Sequence, residues 1–218
     1  VGDVVEFDIE TKNNTETGVI KRIEERKNYI VRKSVNLSKQ THIIASNVDR
    51  VFLLVTINNP PTFTSFIDRF LVTAEAYSIN TVILFNKIDA YDDKTILEVK
   101  YLASIYRKIG YECIGISATT GKNIDKVKEL MLGKISMFAG HSGVGKSTLV
   151  NAIEPSLDLK TKEISNQHMQ GQHTTTFAEM FDLSFDAQII DTPGIKGFGA
   201  INLQKFFCFG LGSTSHAC

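Results

Sequence analysis

A chain of 218 residues has room for one ordinary domain and a smaller companion, and a hydrophobic share of 43% is enough for a true core. Lysine plus arginine equals aspartate plus glutamate at 24 each, so the overall charge points to no polyanionic partner. No apolar run of about eighteen residues and no signal-peptide pattern occurs, which argues against a membrane span and against secretion. Three cysteines, an odd number, make no disulfide framework. A cytoplasmic, reducing setting is therefore expected, with Cys113 as a small buried apolar residue.

Taken in chain order, residues 3–9 alternate polar with apolar, the pattern of a half-buried strand. Asn13-Asn14 marks a turn, and residues 18–20 and 29–32 continue the β texture, so residues 1–46 read as part of a small β-barrel or sheet. The chain opens at Val1 in what reads as mid-domain, which puts the true N-terminus upstream. Lys21, Arg22, Arg26, Lys27, Arg32 and Lys33 stand against only Glu24 and Glu25. Such a cluster is commonly a solvated face, and it is also what a nucleic-acid contact looks like.

The texture changes at Val51. Residues 51–57 are apolar throughout, the mark of a strand buried on both faces of a parallel sheet. A helix over 66–77 leads to a second buried strand at 81–85, and a helix over 94–109 leads to a third at 111–116. A helix near 125–131 precedes a fourth strand at 135–139. Strands alternating with helices, several of the strands ending in a motif, predict a doubly wound α/β fold with ligands at the carboxyl edge. After Gly199 the pattern of regular structure is lost.

The stretch Gly140-His141-Ser142-Gly143-Val144-Gly145-Lys146-Ser147 fits the phosphate-binding loop and lies between a predicted strand and helix, with Thr148 following. Its glycines let amides turn inward onto phosphates, Lys146 supplies a point charge, and the Ser147 hydroxyl suits Mg²⁺. Asn86-Lys87-Ile88-Asp89 sets which base is bound. The Asp89 carboxylate can accept from both the ring N–H and the exocyclic amine of guanine, a donor pair adenine lacks. Asn86 is expected to bridge base and loops, the Lys87 stem to lie over the ring, and Ser117-Ala118 to offer an amide to the guanine oxygen. GTP or GDP is the expected ligand. The guanine reader precedes the phosphate loop, the reverse of the usual order, so the domain is circularly permuted.

Asp191-Thr192-Pro193-Gly194 supplies an acid for Mg²⁺ through water and, at Gly194, an amide for the γ-phosphate. The next residue is Ile195, whose aliphatic side chain cannot orient water. In Gly171-Gln172-His173-Thr174-Thr175-Thr176, Thr175 is the favoured threonine to complete the Mg²⁺ shell. His173 is a candidate orienter or base for the attacking water, or an exposed loop histidine. His42 and His168 read as surface residues.

These motifs, in this order, resemble the RsgA (YjeQ) family of bacterial small ribosomal subunit biogenesis GTPases over about residues 1–200. The resemblance implies an OB-fold with 1–46 as its later strands, a permuted P-loop GTPase domain over 47–200, and a C-terminal zinc-binding domain with 201–218 as its remnant. It also implies GTP hydrolysis stimulated by the small subunit during its late maturation, with rRNA contact, and it raises His173 as the catalytic residue. A monomer is expected. The zinc site departs from the family's three cysteines and one histidine, because Cys208, His216 and Cys218 leave one zinc ligand short. Two rivals remain. One is a large-subunit type of permuted assembly GTPase, which usually carries Pro-Asn before Val-Gly-Lys-Ser and lacks the β-barrel. The other is a nucleotide-gated RNA-binding module with negligible turnover, which Ile195 keeps open.

Overall fold

In the computed structural model, which describes residues 1–12, 15–33, 41–157 and 178–191, the apolar runs become strands sealed on both faces. The chain begins with two antiparallel hairpins, β1 (Val5–Lys12) with β2 (Thr15–Ile23) and β3 (Tyr29–Lys33) with β4 (Thr41–Ser46). Next come β5 (Arg50–Val55), α1 (Thr64–Ala76), β6 (Asn80–Phe85), α2 (Asp93–Ile109), β7 (Glu112–Gly115) and α3 (Ile124–Met131). They are followed by β8 (Ile135–Ala139), α4 (Lys146–Ile153), a single 3-10 turn at Pro155–Leu157, β9 (Glu179–Asp182) and β10 (Gln188–Asp191).

Six strands form one sheet in the order β7-β6-β5-β8-β10-β9, parallel except for β9 against β10. The chain runs outward from β5 to β7 and then returns to β8 on the other side of β5. The carboxyl ends of β5 and β8 thus flank the switch point where α/β sheets hold ligands. Permutation leaves this intact, because each strand's place depends on its neighbours and not on its rank in the chain.

Period-2 alternation divides the core into two layers. Val51, Leu53 and Val55 of β5 join Ile83 and Phe85 of β6 on the side covered by α1 and α2. Phe52 and Leu54 join Val82 and Leu84 on the side of α3 and α4, where Phe52 stacks on Phe138 with ring centroids 5.3 Å apart. α2 starts where Asp92 Oδ1 accepts the Thr95 N–H at 2.8 Å, and it ends at Gly110 in the left-handed region (φ +113°). β5 stops two residues short of the expected Ile57, since Thr56 already pairs with Thr62 to close a loop.

The hairpins differ in how they are held. Ile30 of β3 and Ala45 of β4 are buried in the layer of α1 and α2. Asn28 clamps this base by donating to the Val48 carbonyl at 2.8 Å and accepting the Val48 N–H at 2.9 Å. Asp49 continues the join by accepting the Ile135 N–H of β8 at 2.8 Å. The β1–β2 hairpin does not meet the expectation of half burial: Phe7 is 55% exposed, Ile9 64% and Ile20 61%. Alternation sorts these side chains onto one face, but burial needs a second layer, and none covers them among the described residues. No ladder joins the two hairpins there either.

Three of the six cations in the basic cluster pair with acids far away in sequence. Lys21 pairs with Asp8 and Lys27 with Asp49. Arg26 forks onto Asp3 through Nε at 2.6 Å and Nη2 at 2.7 Å. The Arg26 guanidinium, helped by the Ser46 hydroxyl, lowers the Asp3 carboxyl to about 2. Cations tied this way are less available to a polyanion, so these three side chains read as structural.

One buried hydroxyl lies inside the sheet without a partner. Ser136 Oγ of β8 is fully buried and, among the described residues, makes no hydrogen bond. Ser136→Ala removes the desolvation cost without leaving a cavity, and should raise unfolding free energy by about 1 kcal/mol in denaturant titration. A drop in stability would mean the hydroxyl has a partner after all.

Candidate functional site

Four loops meet at the carboxyl edge: the one after β5, the guanine reader after β6, the Ser117 turn after β7 and the phosphate loop after β8. Asn86 ties three of them. Its side chain is 2% exposed, its Nδ2 donates to the Val144 carbonyl at 2.8 Å, and its Oδ1 accepts the Ala118 N–H at 3.0 Å. The sequence leads one to expect a backbone N–H from the Ser117-Ala118 turn for guanine and a bridging role for Asn86. In this structure Asn86 joins the loops, and its buried carboxamide satisfies both ends on backbone groups, the Ala118 N–H among them.

The phosphate loop keeps the open curve that a phosphate chain needs. Gly140, Gly143 and Gly145 sit at φ +143°, +82° and +98°. A Cβ on Gly140 would stand 2.6 Å from the Leu54 carbonyl oxygen, and one on Gly145 would stand 2.5 Å from Asn86 Nδ2. Only glycine fits at either position. Lys146 opens α4 with its ammonium at the loop mouth, donating to the Gly140 and His141 carbonyls at 2.7 Å each. This glycine curve with a lysine at its mouth fits a nucleotide phosphate chain. Ser142, Ser147 and Thr148 line the same loop and first helical turn.

Lys87 reaches two loops at once. Held at φ +66°, it sends its Nζ to the Gly143 carbonyl at 2.8 Å and to the Asn59 carbonyl in the loop after β5. Its stem therefore spans from the reader to the phosphate loop. The reader's backbone is fixed by Ile88 N–H to Ile116 O at 3.2 Å and Ala90 N–H to Lys87 O at 3.0 Å, which leaves Asp89 exposed at the tip. Ser117 is fully buried and its Oγ accepts the Thr120 N–H at 3.0 Å, shaping the adjoining turn.

Three residues of this edge carried no signal in the sequence. The Tyr91 hydroxyl accepts the Ile57 N–H at 3.0 Å, and burial pushes its phenol up against the pull of the Ile57 and Asn58 amides. Asn59 contributes a carbonyl, a group every residue has. Phe66 of α1 lies against the His141 ring with centroids 3.8 Å apart, and burial, then the Lys146 charge, lowers the His141 imidazole. Only a motif search that placed α1 over the phosphate loop could have found the last pair.

Other expected site residues fall elsewhere. Asp191 ends β10, which runs parallel to the phosphate-loop strand β8. His173, Thr175, Gly194, Cys208, His216 and Cys218 lie outside the described residues. Among the described residues no cluster of three His, Cys, Asp or Glu could hold a metal. Cys113 is buried as expected, and burial raises its thiol to about 11. Two wide surface depressions, about 530 and 420 Å³, lie between residues 133–135 and 182–188 and beside β7, and touch neither nucleotide loop. None of their lining residues belongs to the motifs, which leaves the loop edge as the site.

Comparison with known proteins agrees with this geometry. The RsgA GTPase family model matches residues 23–201. The small ribosomal subunit biogenesis GTPase RsgA of Christiangramia forsetii is 71% identical over 205 residues, covering 94% of this chain and 65% of that protein. Its counterpart from Flavobacterium johnsoniae is 67% identical, with 94% and 63% covered. The chain thus spans less than two thirds of these relatives' length. Among solved structures, YjeQ from Thermotoga maritima matches with a TM-score of 0.69 at 39% identity, covering 89% of this chain and 60% of that one. YloQ, described as a circularly permuted GTPase, matches at 0.66 and 30% identity, with 91% and 58% covered. No described helix is long and apolar enough to cross a membrane. Motif order, sheet order and relatives agree, and the chain belongs to the RsgA GTPase family.

Proposed function

We propose that this chain is the nucleotide-binding and GTP-hydrolysing part of a factor that matures the small ribosomal subunit, with turnover stimulated by the subunit and contact to its rRNA. The observation that carries the reading is Asn86, buried and bonded at once to the phosphate loop and the Ser117 turn. That arrangement makes base recognition and phosphate binding one unit. The relatives' shared name, small ribosomal subunit biogenesis GTPase, supplies the partner.

In this reading Lys146 and the loop amides hold the β- and γ-phosphates, and Asp89 reads the base. Ser147 and Thr175 hold Mg²⁺ directly and Asp191 holds it through water. Bound Mg²⁺ neutralises charge developing on the phosphates. Gly194 offers its amide to the γ-phosphate, and His173 orients the attacking water in place of the glutamine absent at Ile195. The chain acts as a cytoplasmic monomer. Residues 1–46 serve as the later strands of an OB-fold, 47–200 as the GTPase domain, and 201–218, with Cys208, His216 and Cys218, as part of a zinc-binding domain. Ordering of the switch segments by the γ-phosphate favours the subunit-bound state, and hydrolysis releases it.

The test is phosphate release by the full-length protein with GTP alone, with small subunits and with large subunits. Turnover raised only by small subunits is expected. Stimulation by large subunits alone would transfer the chain to large-subunit assembly. Tight GTP binding with no turnover in any mixture would make it a nucleotide-gated binding module.

A further inference from the structure

The loop after β5 belongs to none of the motifs, yet it touches two of them. Residues 56–62 close on themselves: the Thr56 hydroxyl donates to the Pro60 carbonyl at 2.6 Å, and the Thr62 N–H donates to the Thr56 carbonyl at 2.8 Å. From this closed loop the Asn59 carbonyl accepts from Lys87 Nζ, which also donates to the Gly143 carbonyl. Pro60 lies against the phosphate loop as well, since a Cβ on Gly143 would meet its Cδ at 3.4 Å. Among the described residues the Lys87 ammonium is thus held by two backbone carbonyls, and one of them belongs to a loop that something beyond residues 56–62 also anchors.

That something is Tyr91. Its hydroxyl accepts the Ile57 N–H at 3.0 Å, and its half-buried ring packs on the core layer of α1 and α2. Tyr91 sits two residues beyond Asp89. The same short segment therefore carries the base-reading carboxylate, the bridging lysine and the anchor for the loop that holds the lysine. We propose that Tyr91 is a positioning residue for guanine-nucleotide binding: it fixes the loop of residues 57–60 so that the Asn59 and Gly143 carbonyls hold Lys87 in its bridging pose. It touches neither base nor phosphate, and acts through Lys87.

The inference rests on the guanine-nucleotide reading above, so the test separates the two. Release of a fluorescent GDP and of a fluorescent non-hydrolysable GTP analogue is measured by stopped flow for the full-length wild type, Tyr91→Phe, Lys87→Ala and the double variant. Phenylalanine keeps the ring and deletes the hydroxyl. Tyr91→Phe should speed release of both nucleotides by about two- to tenfold, the range for one hydrogen bond. The subunit-stimulated single-turnover rate of hydrolysis of bound GTP should keep its value, because that rate excludes product release and no group near the γ-phosphate is altered. The double variant should release no faster than Lys87→Ala alone, since a residue acting through the lysine adds nothing once it is gone. Additive effects, or an unchanged release rate in Tyr91→Phe, would overturn the role for Tyr91. A wild type that binds no guanine nucleotide would overturn the underlying reading instead.

Discussion

Asn86→Ala should cost the protein its nucleotide before it costs it the fold. Truncation deletes both hydrogen bonds of a side chain 2% exposed and strands the Val144 carbonyl and the Ala118 N–H in a site closed to solvent. Each orphaned group costs about 1–3 kcal/mol, so a loss of about 2–5 kcal/mol is expected in unfolding free energy. Nucleotide binding suffers as well. The phosphate loop and the base-side turn would no longer be fixed relative to one another, and the ligand must then order them itself. A fall in GDP affinity of about a hundredfold or more should appear in titration calorimetry, about 3 kcal/mol. Asn86→Asp keeps the acceptor for Ala118 but turns the donor to Val144 into a second oxygen facing a carbonyl. It should lose affinity comparably although its shape is unchanged. Gly145→Ala reaches the same defect from the other side, since its Cβ would fall 2.5 Å from Asn86 Nδ2. Wild-type GDP affinity in Asn86→Ala would sink the bridging role.

The contrast between what could be read in advance and what could not follows from the range of the interactions. β5 and β6 announced themselves as continuous apolar runs because each is buried on both faces, a property of every residue in the strand. β9 did not. Its four residues, Glu179-Met180-Phe181-Asp182, form an edge strand held by a single ladder, with acids at both ends and no period to detect. The hairpin of β1 and β2 showed alternation faithfully, but alternation names a face and not its cover, so the burial of Phe7 and Ile9 was misjudged. Within the site, the phosphate loop was legible because its chemistry is compressed into adjacent residues, Gly140 to Ser147. The Asn86 bonds span 58 and 32 residues and the Tyr91 to Ile57 bond spans 34. Those depend on which strands become neighbours, and motif spacing does not encode that. The same holds for the basic cluster, whose partners Asp3, Asp8 and Asp49 become visible only when the hairpins form.

Asp89→Asn should change the base that is bound and leave the fold alone. Asp89 is exposed at the tip of the reader, and the backbone beneath it is held by Ile88 to Ile116 and Ala90 to Lys87 hydrogen bonds that a side-chain change does not touch. Unfolding free energy should therefore shift by less than about 0.5 kcal/mol, the ordinary range for surface substitutions. Binding is another matter. A carboxylate offers two acceptors to the two adjacent donors of guanine, and each bond to a charged acceptor contributes about 1.5–3 kcal/mol. The amide of asparagine can accept one of those donors but meets the other with its own N–H. GDP affinity should fall by about a hundredfold or more. Xanthine carries a carbonyl where guanine carries the exocyclic amine, so its edge presents one donor and one acceptor, the complement of asparagine. Xanthine diphosphate should therefore bind Asp89→Asn more tightly than it binds the wild type, and the ratio of the two affinities should invert. Adenine nucleotides should gain nothing in either protein, because adenine presents a bare acceptor at N1, only a C–H at C2, and an amine where guanine has its oxygen. Competition of each diphosphate against a fluorescent guanine nucleotide measures all of these ratios in one series. Loss of GDP binding with no gain for xanthine, alongside an unchanged melting transition, would show that Asp89 supports the loop and does not read the base.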